Sequence, residues 1–208
     1  MKILAHRGFW SSTRGGNSVD AFAEASRNGF GIETDFRDFL GELVVSHDPV
    51  VTPNVSASRF FREFARPGPL AINVKADGIA ALVAKCIREQ SIDDYFVFDM
   101  SIPETLRYLD IGLNVFLRVS EYEVPSPLLG RAAGIWLDYF GKDDWLESDV
   151  VDWLAQGKKV CIVSPELHRR DHWECWSRII ERLPIHDENL MICTDLPDEF
   201  LAECLKSL

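Results

Sequence analysis

Cationic side chains are scarce in this 208-residue chain: 22 lysines and arginines stand against 33 aspartates and glutamates, a formal net charge of −11. Binding nucleic acid without regard to sequence needs clustered Lys and Arg to neutralise phosphates, so this balance argues against that class. A small anionic substrate remains compatible, because one pocket can be positive on an acidic protein. Long apolar runs are also missing. The start MKILAHRG has no signal-peptide core and no later stretch approaches a membrane span, so no transmembrane segment and a cytoplasmic location are expected. The five cysteines (Cys86, Cys161, Cys175, Cys193 and Cys204) include no CxxC pair. An odd, irregular set points to reduced thiols and away from a disulfide framework or a zinc site. Low-complexity tracts and long linkers are absent too, so residues 1–208 are expected to form one domain.

What recurs is a short apolar run followed by an amphipathic stretch. The runs are KILAHR (2–7), FGIETDF (30–36), LAINVKA (70–76), YFVFDM (95–100), NVFLRVS (114–120), GIWLDYF (134–140), KVCIVSP (159–165) and LMICTDL (190–196). Near-continuous Ile, Val, Leu and Phe over so few residues is the mark of strands buried on both faces. Helical patterns lie between them. Val19, Phe22, Ala23 and Ser26 are spaced for one helix face, with Asn17 or Ser18 as cap and Asn28-Gly29 as stop. Ile79, Leu82, Val83, Cys86 and Ile87 make a second stripe, and 103–109, 148–157, 172–183 and 198–208 are further helices. PSPLLGRA is too short and Pro-rich to assign. The expected fold is an α/β (β/α)8 TIM barrel, with LVVSH (43–47) as an extra strand-like arm after the second strand. An open doubly wound sheet is the alternative, since periodicity does not show closure.

The apolar runs end in polar residues: His6 and Arg7, Glu33 and Asp35, Asn73 and Lys75, Asp99, Arg118, Asp138, and Thr194 and Asp195; the arm ends in His47 and Asp48. In a barrel these are the strand ends that build the active site. Glu33 and Asp35 are two apart on a strand and so share a face. Two adjacent carboxylates repel unless a proton or a cation compensates them, and a hard divalent ion is one such partner. A pair of strand-end acids matched by Arg7 or Lys75 is the plainer reading of the same residues. His6 and His47 flank the pair and could serve as general base and general acid near a metal-bound phosphate. His168, His172 and His186 read as structural histidines.

The order HRG, NS-x-x-AF, a helix ending in Gly, IETD and LVVSHDP resembles the glycerophosphodiester phosphodiesterase family over roughly the first quarter of the chain. NVK and CTDLP are compatible with the family's third and eighth strands. The resemblance implies a TIM barrel and a divalent metal, Mg2+ or Ca2+, held by Glu33 and Asp35 with a third ligand from the third strand, Asn73. It implies His6 and His47 as the acid/base pair, and Arg7 and Lys75 beside a small-molecule phosphodiester substrate. The implied activity is a phosphoric diester hydrolase acting on a small polar diester, a glycerophosphodiester among the candidates.

The chain departs from the family pattern at three places. Gly16-Asn17-Ser18 replaces Glu-Asn-Thr, the stretch between Gly29 and Glu33 is one residue short, and Asn73 replaces an acid. An amide oxygen ligates such cations without bringing charge; Asp99 or Asp48 is the alternative third ligand. The segment Pro49–Pro69 is short for the family and carries Arg59, Phe60, Phe61, Arg62, Phe64 and Arg66. Its phenylalanines are expected as core and its arginines as solvated. Two other functions fit the same residues: intramolecular transfer that yields a cyclic phosphate, and a catalytically impaired barrel that binds a phosphorylated small molecule.

Overall fold

The computed structural model describes residues 1–12, 15–52, 55–64 and 68–207. Each of the eight apolar runs forms a strand: β1 (Lys2–His6), β2 (Gly31–Phe39), β5 (Leu70–Val74), β6 (Tyr95–Phe98), β7 (Phe116–Val119), β8 (Gly134–Leu137), β9 (Lys159–Val163) and β10 (Leu190–Thr194). All are parallel. β1 pairs with both β2 and β10, from Leu4↔Gly31 on one side and Lys2↔Met191 on the other, so first and last strands meet. These pairings leave β6 and β7 at the two ends of the sheet, and it is the contact between those two that makes a barrel and not an open sheet. The thinnest seam lies between β6 and β7, where the ladder shrinks to a bridge at Val97↔Val115, supported by Val97 N–H donating to Asn114 O at 2.8 Å.

The predicted arm is present. β3 (Glu42–Val45) runs antiparallel to the outer half of β2, from Phe36↔Val45 to Phe39↔Glu42, and the two-residue β4 (Val55–Ser56) adds to β3. Around the barrel lie α1 (Val19–Arg27), α2 (Ala57–Phe64), α3 (Ala80–Glu89), α4 (Ile102–Asp110), α5 (Glu147–Ala155), α6 (Trp173–Arg182) and α7 (Pro197–Lys206). The unassigned PSPLLGRA stretch becomes a 3-10 turn, Pro127–Gly130, whose Ser126 cap accepts from Leu128 N–H. A second 3-10 turn, Pro165–His168, follows β9.

α2 was not foreseen as a helix. Its apolar residues cover only two turns and are flanked by prolines, which hides the 3.6-residue period. The expectation for its side chains holds: Phe60, Phe61 and Phe64 are buried while Arg59 and Arg62 are exposed, and Arg66 lies outside the described residues. Phe60 meets Phe22 of α1 edge-on at 4.8 Å, and Phe61 stacks on Phe36 of β2 at 5.4 Å. α1 buries Ala21, Phe22 and Ala25, a face rotated slightly from the one the spacing suggested. Ser18 is its cap, accepting from Ala21 N–H, which leaves Asn17 free for another role.

Strand alternation sorts the interior. Leu4, Ala71, Phe96, Phe98, Phe116, Trp136, Cys161, Val163, Met191 and Cys193 pack together inside the barrel. Phe96 stacks on Phe116 at 3.7 Å and Phe98 on Trp136 at 4.0 Å. The intervening residues Ile32, Ile72, Ile135, Ile162 and Ile192 face the helices. All five cysteines are free.

Truncating Phe60 would open a cavity among four other rings, those of Phe22, Phe36, Phe61 and Phe64. Phe60→Ala is expected to lower unfolding free energy by roughly 3–5 kcal/mol, read from urea denaturation. A loss under 1 kcal/mol would mean that α2 contributes little to the fold.

Candidate active site at the barrel mouth

A step of two along a strand keeps the same face. From the packed interior residues, that step leads from Leu4 to His6, from Ala71 to Asn73 and then Lys75, from Phe116 to Arg118, from Trp136 to Asp138 and from Cys193 to Asp195. The carboxyl ends of the strands thus lift a charged layer above the apolar one. Glu33 and Asp35 of β2 belong to this layer and are each 1% exposed. The register places His6 beside Glu33 and Asp35 beside Asn73.

The HRG motif makes this arrangement by turning the chain sharply. Arg7 (φ 57°) and Gly8 (φ 83°) both adopt left-handed backbone, and a Cβ on Gly8 would come within 2.8 Å of the Ala21 carbonyl carbon. Glycine therefore lets α1 close onto the end of β1. Phe9 N–H donates to Ala21 O at 2.9 Å and Asn17 N–H to Arg7 O at 2.8 Å, which ties the turn to the helix entry.

Around the two carboxylates the contacts are dense. Arg7 N–H donates to Glu33 Oε2 at 3.2 Å and its Nε lies 3.2 Å from Asp35 Oδ2. Asn17 Nδ2 donates to the same Asp35 oxygen at 2.8 Å, and Asn17 Oδ1 accepts from the Thr34 hydroxyl at 2.8 Å. Lys75 Nζ sits 3.7 Å from Asp35 Oδ1. His6 Nε2 is 3.8 Å from Glu33 Oε2, while its Nδ1 meets Asp195 Oδ1 at 2.8 Å; Trp10 Nε1 donates to that oxygen at 3.1 Å.

The electrostatics follow from burial. Desolvation, and then the Asp35 charge, push the Glu33 carboxyl up to about 7. Burial pulls the His6 imidazole down, but the hydrogen bond to Asp195 and the Glu33 charge outweigh it, so its pKa is raised. Burial lowers the Lys75 ammonium, against the pull of Asp35 and Glu33.

The rest of the mouth continues as a ring of pairs. Lys75 Nζ donates to Asp99 Oδ2 at 2.9 Å, Asp99 contacts Arg118, Arg118 Nε lies 3.5 Å from Asp138 Oδ2, and His168 Nε2 meets Asp138 Oδ1 at 2.7 Å. Asp99, Arg118, Asp138 and Asp195 were visible as strand-end residues. Asn17, Trp10, Glu166 and the mouth position of His168 were not. Asn17 read equally well as a helix cap, and the other three stand on loops, where no periodicity marks direction. His172 packs against the Trp173 and Trp176 rings and His186 is exposed, as suits structural residues.

The structure brings together His6, Arg7, Glu33, Asp35, Asn73 and Lys75. His47 does not join them: its side chain is 45% exposed at the end of the arm, and among the described residues its ring nitrogen pairs with Asp48, itself 86% exposed. The arm nevertheless reaches the cluster through its backbone, with Ser46 N–H donating to Asp35 O at 2.9 Å.

Among the described residues no group of three or more His, Cys, Asp or Glu side chains is arranged to hold a metal ion. The donors present are two carboxylates and an amide. Asn73 Oδ1 is buried without a hydrogen-bond partner among the described residues, next in register to Asp35. Such an orphaned oxygen beside two buried carboxylates fits a hard cation that takes oxygen ligands and retains waters.

No protein-family model matches the sequence, and no curated protein matches it. The fold does match solved structures. A protein from Galdieria sulphuraria assigned as a glycerophosphodiester phosphodiesterase superposes with a TM-score of 0.77 at 16% identity, covering 98% of this chain and 97% of that one. The glycerophosphodiester phosphodiesterase from Agrobacterium tumefaciens gives 0.72 at 18% identity, covering 97% and 99%. A phosphodiesterase from Oleispira antarctica, solved with the product sn-glycerol-3-phosphate, gives 0.67 at 13% identity, covering 97% and 96%. The chain therefore has the TIM-barrel fold of the glycerophosphodiester phosphodiesterases, over nearly its whole length.

A carboxyl whose pKa is raised on folding favours the folded state below its unfolded pKa and loses that contribution as pH rises through the folded value. Metal-free Glu33→Gln should accordingly be more stable than the parent, by on the order of 3 kcal/mol at pH 8 and about 1 kcal/mol at pH 5. Thermal melts in chelator at both pH values test this, and equal melting of the two proteins at pH 8 would remove the buried-pair cost.

Proposed function

We propose that this chain is a phosphoric diester hydrolase acting on a small polar phosphodiester, with a glycerophosphodiester as the leading candidate. The observation that carries the reading is the His6–Asp195 pair on β1 and β10, standing against the buried Glu33 and Asp35 of β2. Its support is the shared barrel and a likeness to an Oleispira enzyme caught with sn-glycerol-3-phosphate. Five unpaired thiols suit the reducing cytoplasm as the place where a single-domain enzyme of this kind works.

Glu33, Asp35 and Asn73 are the residues that would hold a divalent cation, Mg2+ or Ca2+. Bound there, it would supply Lewis-acid stabilisation of the charge that develops on the phosphoryl oxygens. The chain's own groups do the rest. Arg7 and Lys75 lie next to Asp35 and bind and balance the anionic diester. Asp195 fixes the His6 ring through Nδ1, so that Nε2 faces the carboxylate cluster and takes the proton of the attacking water. His47, exposed at the end of the arm and outside this cluster, is the candidate that returns a proton to the leaving alcohol, and it has to move to the mouth to do so. The products are a phosphomonoester and an alcohol.

A second reading has its own observation. Asn73 stands where the family pattern has an acid, and Gly16 where it has a glutamate. A barrel with fewer ligand charges could bind a phosphorylated small molecule without turning it over.

Hydrolysis of bis(p-nitrophenyl) phosphate and of a glycerophosphodiester panel, with chelator and with Mg2+, Ca2+ or Mn2+, separates the two. Metal-dependent turnover is expected, with His6→Ala and His47→Ala each lowering kcat by about 100- to 10,000-fold. Near-normal rates in either variant would remove that histidine from proton transfer. Binding of a phosphate ester without turnover under any metal would favour the second reading. Asn73→Asp adds a charge to the donor set and is expected to tighten divalent-cation binding in titration calorimetry. Unchanged or weaker binding would take Asn73 out of the metal shell.

A further inference from the structure

We propose that Glu166 is a positioning residue for His6: it clamps the end of β10 so that the Asp195 carboxylate is presented to His6 Nδ1. The catalytic consequence of this clamp rests on the hydrolase reading above; the clamp itself does not.

Glu166 lies in the 3-10 turn after β9, with its carboxylate turned toward the end of β10. Oε1 accepts from the Thr194 hydroxyl at 2.5 Å and from Asp195 N–H at 3.1 Å. Oε2 accepts from the Ser164 hydroxyl. Each hydroxyl has only one proton, and each already accepts from elsewhere. Thr194 Oγ1 receives Leu196 N–H at 3.0 Å, and Ser164 Oγ receives the Trp176 indole N–H at 2.7 Å. Both hydroxyl protons are thereby committed to Glu166. Ser164 and Thr194 are fully buried and Trp176 nearly so, which anchors the clamp in the packing of α6 against the barrel.

Position gives this arrangement its meaning. The register between β1 and β10 ends at Ala5↔Thr194, so Asp195 stands one residue beyond the ladder. Its N–H would otherwise lose the hold that the sheet provides, and Glu166 restores it. On the other side of the same residue, Asp195 Oδ1 takes both His6 Nδ1 and Trp10 Nε1. Among the described residues no lysine or arginine pairs with Glu166. Among the described residues its hydrogen bonds go to the Ser164 hydroxyl, the Thr194 hydroxyl and Asp195 N–H, the last on the backbone that aims the Asp195 carboxylate. A carboxylate that only tied β9 to β10 could be lost without disturbing the His6–Asp195 bond; a positioning residue could not.

The test compares Glu166→Met with Glu166→Gln in the full chain. Gln keeps an oxygen for Thr194 and Asp195 N–H and can give its amide N–H to Ser164 Oγ, whereas Met keeps the shape and no acceptor. The first readout is the downfield proton resonance of the His6 Nδ1–H···Asp195 bond, assigned by its absence in His6→Ala. It should persist in Glu166→Gln and vanish or broaden in Glu166→Met. The second is steady-state kinetics on bis(p-nitrophenyl) phosphate, where Glu166→Met should lose about 10- to 100-fold in kcat with KM within about twofold, and Glu166→Gln should restore it. A resonance unchanged in Glu166→Met overturns the clamp. A lost resonance with undiminished kcat overturns its role in catalysis. A parent protein that hydrolyses nothing overturns the hydrolase reading, and the resonance alone then decides the clamp. If Glu166→Met does not fold, Thr194→Val removes one of the three donors and reads the same resonance.

Discussion

The mouth of this barrel depends on strand alternation inside a closed cylinder. Once β1 pairs with β10 and β6 meets β7, every second residue of each strand must point inward, and there is room inside only for interlocked side chains. The large rings of β6, β7 and β8 fill that room, stacked as Phe96 on Phe116 and Phe98 on Trp136. The next inward positions, toward the carboxyl ends, emerge above the packed layer into the mouth. His6, Asn73, Arg118, Asp138 and Asp195 all stand there for that reason. An insertion of one residue in any of these strands would turn its charged terminus outward among the isoleucines that face the helices.

Charges gathered at that level must compensate one another, because two of them are almost fully buried. Glu33 and Asp35 receive Arg7, Asn17, Lys75 and His6 from three other elements. The pairing continues through Lys75, Asp99, Arg118 and Asp138 to His168 on one side, and through His6 and Asp195 to Glu166 on the other. Breaking one link leaves a neighbour unpaired in a low-dielectric setting, which is why such networks are costly to disturb. Burial, and then the Asp35 charge, still raise the Glu33 carboxyl against the pull of His6 and Arg7. That raised carboxyl, beside an Asn73 oxygen with no partner among the described residues, is the physical basis of the cation site proposed above.

The two histidines of the family resemblance occupy different settings. His6 is held by a carboxylate, a neighbouring indole N–H on that carboxylate, and the backbone clamp behind it. His47 rides on a two-stranded arm outside the barrel, and among the described residues its side chain pairs with an exposed aspartate.

Much of this was legible from the chain alone. Eight apolar runs and the helices between them specified the strands, and the ordered HRG, ExD and HD motifs specified which strand ends to watch, because burial on both faces and period-two spacing are local properties. The helix at 57–64 was not legible, since two turns between prolines carry too little periodicity. Nor was the choice between cap and site for Asn17, which was settled when Ser18 took the cap and Asp35 took the amide. Closure of the sheet, the pairing of His6 with Asp195 across 189 residues of sequence, and the convergence of Ser164, Glu166 and Thr194 belong to the tertiary structure. Local sequence determines what each strand end carries. Only the closed barrel decides which ends face each other, because that depends on register between strands far apart in the chain.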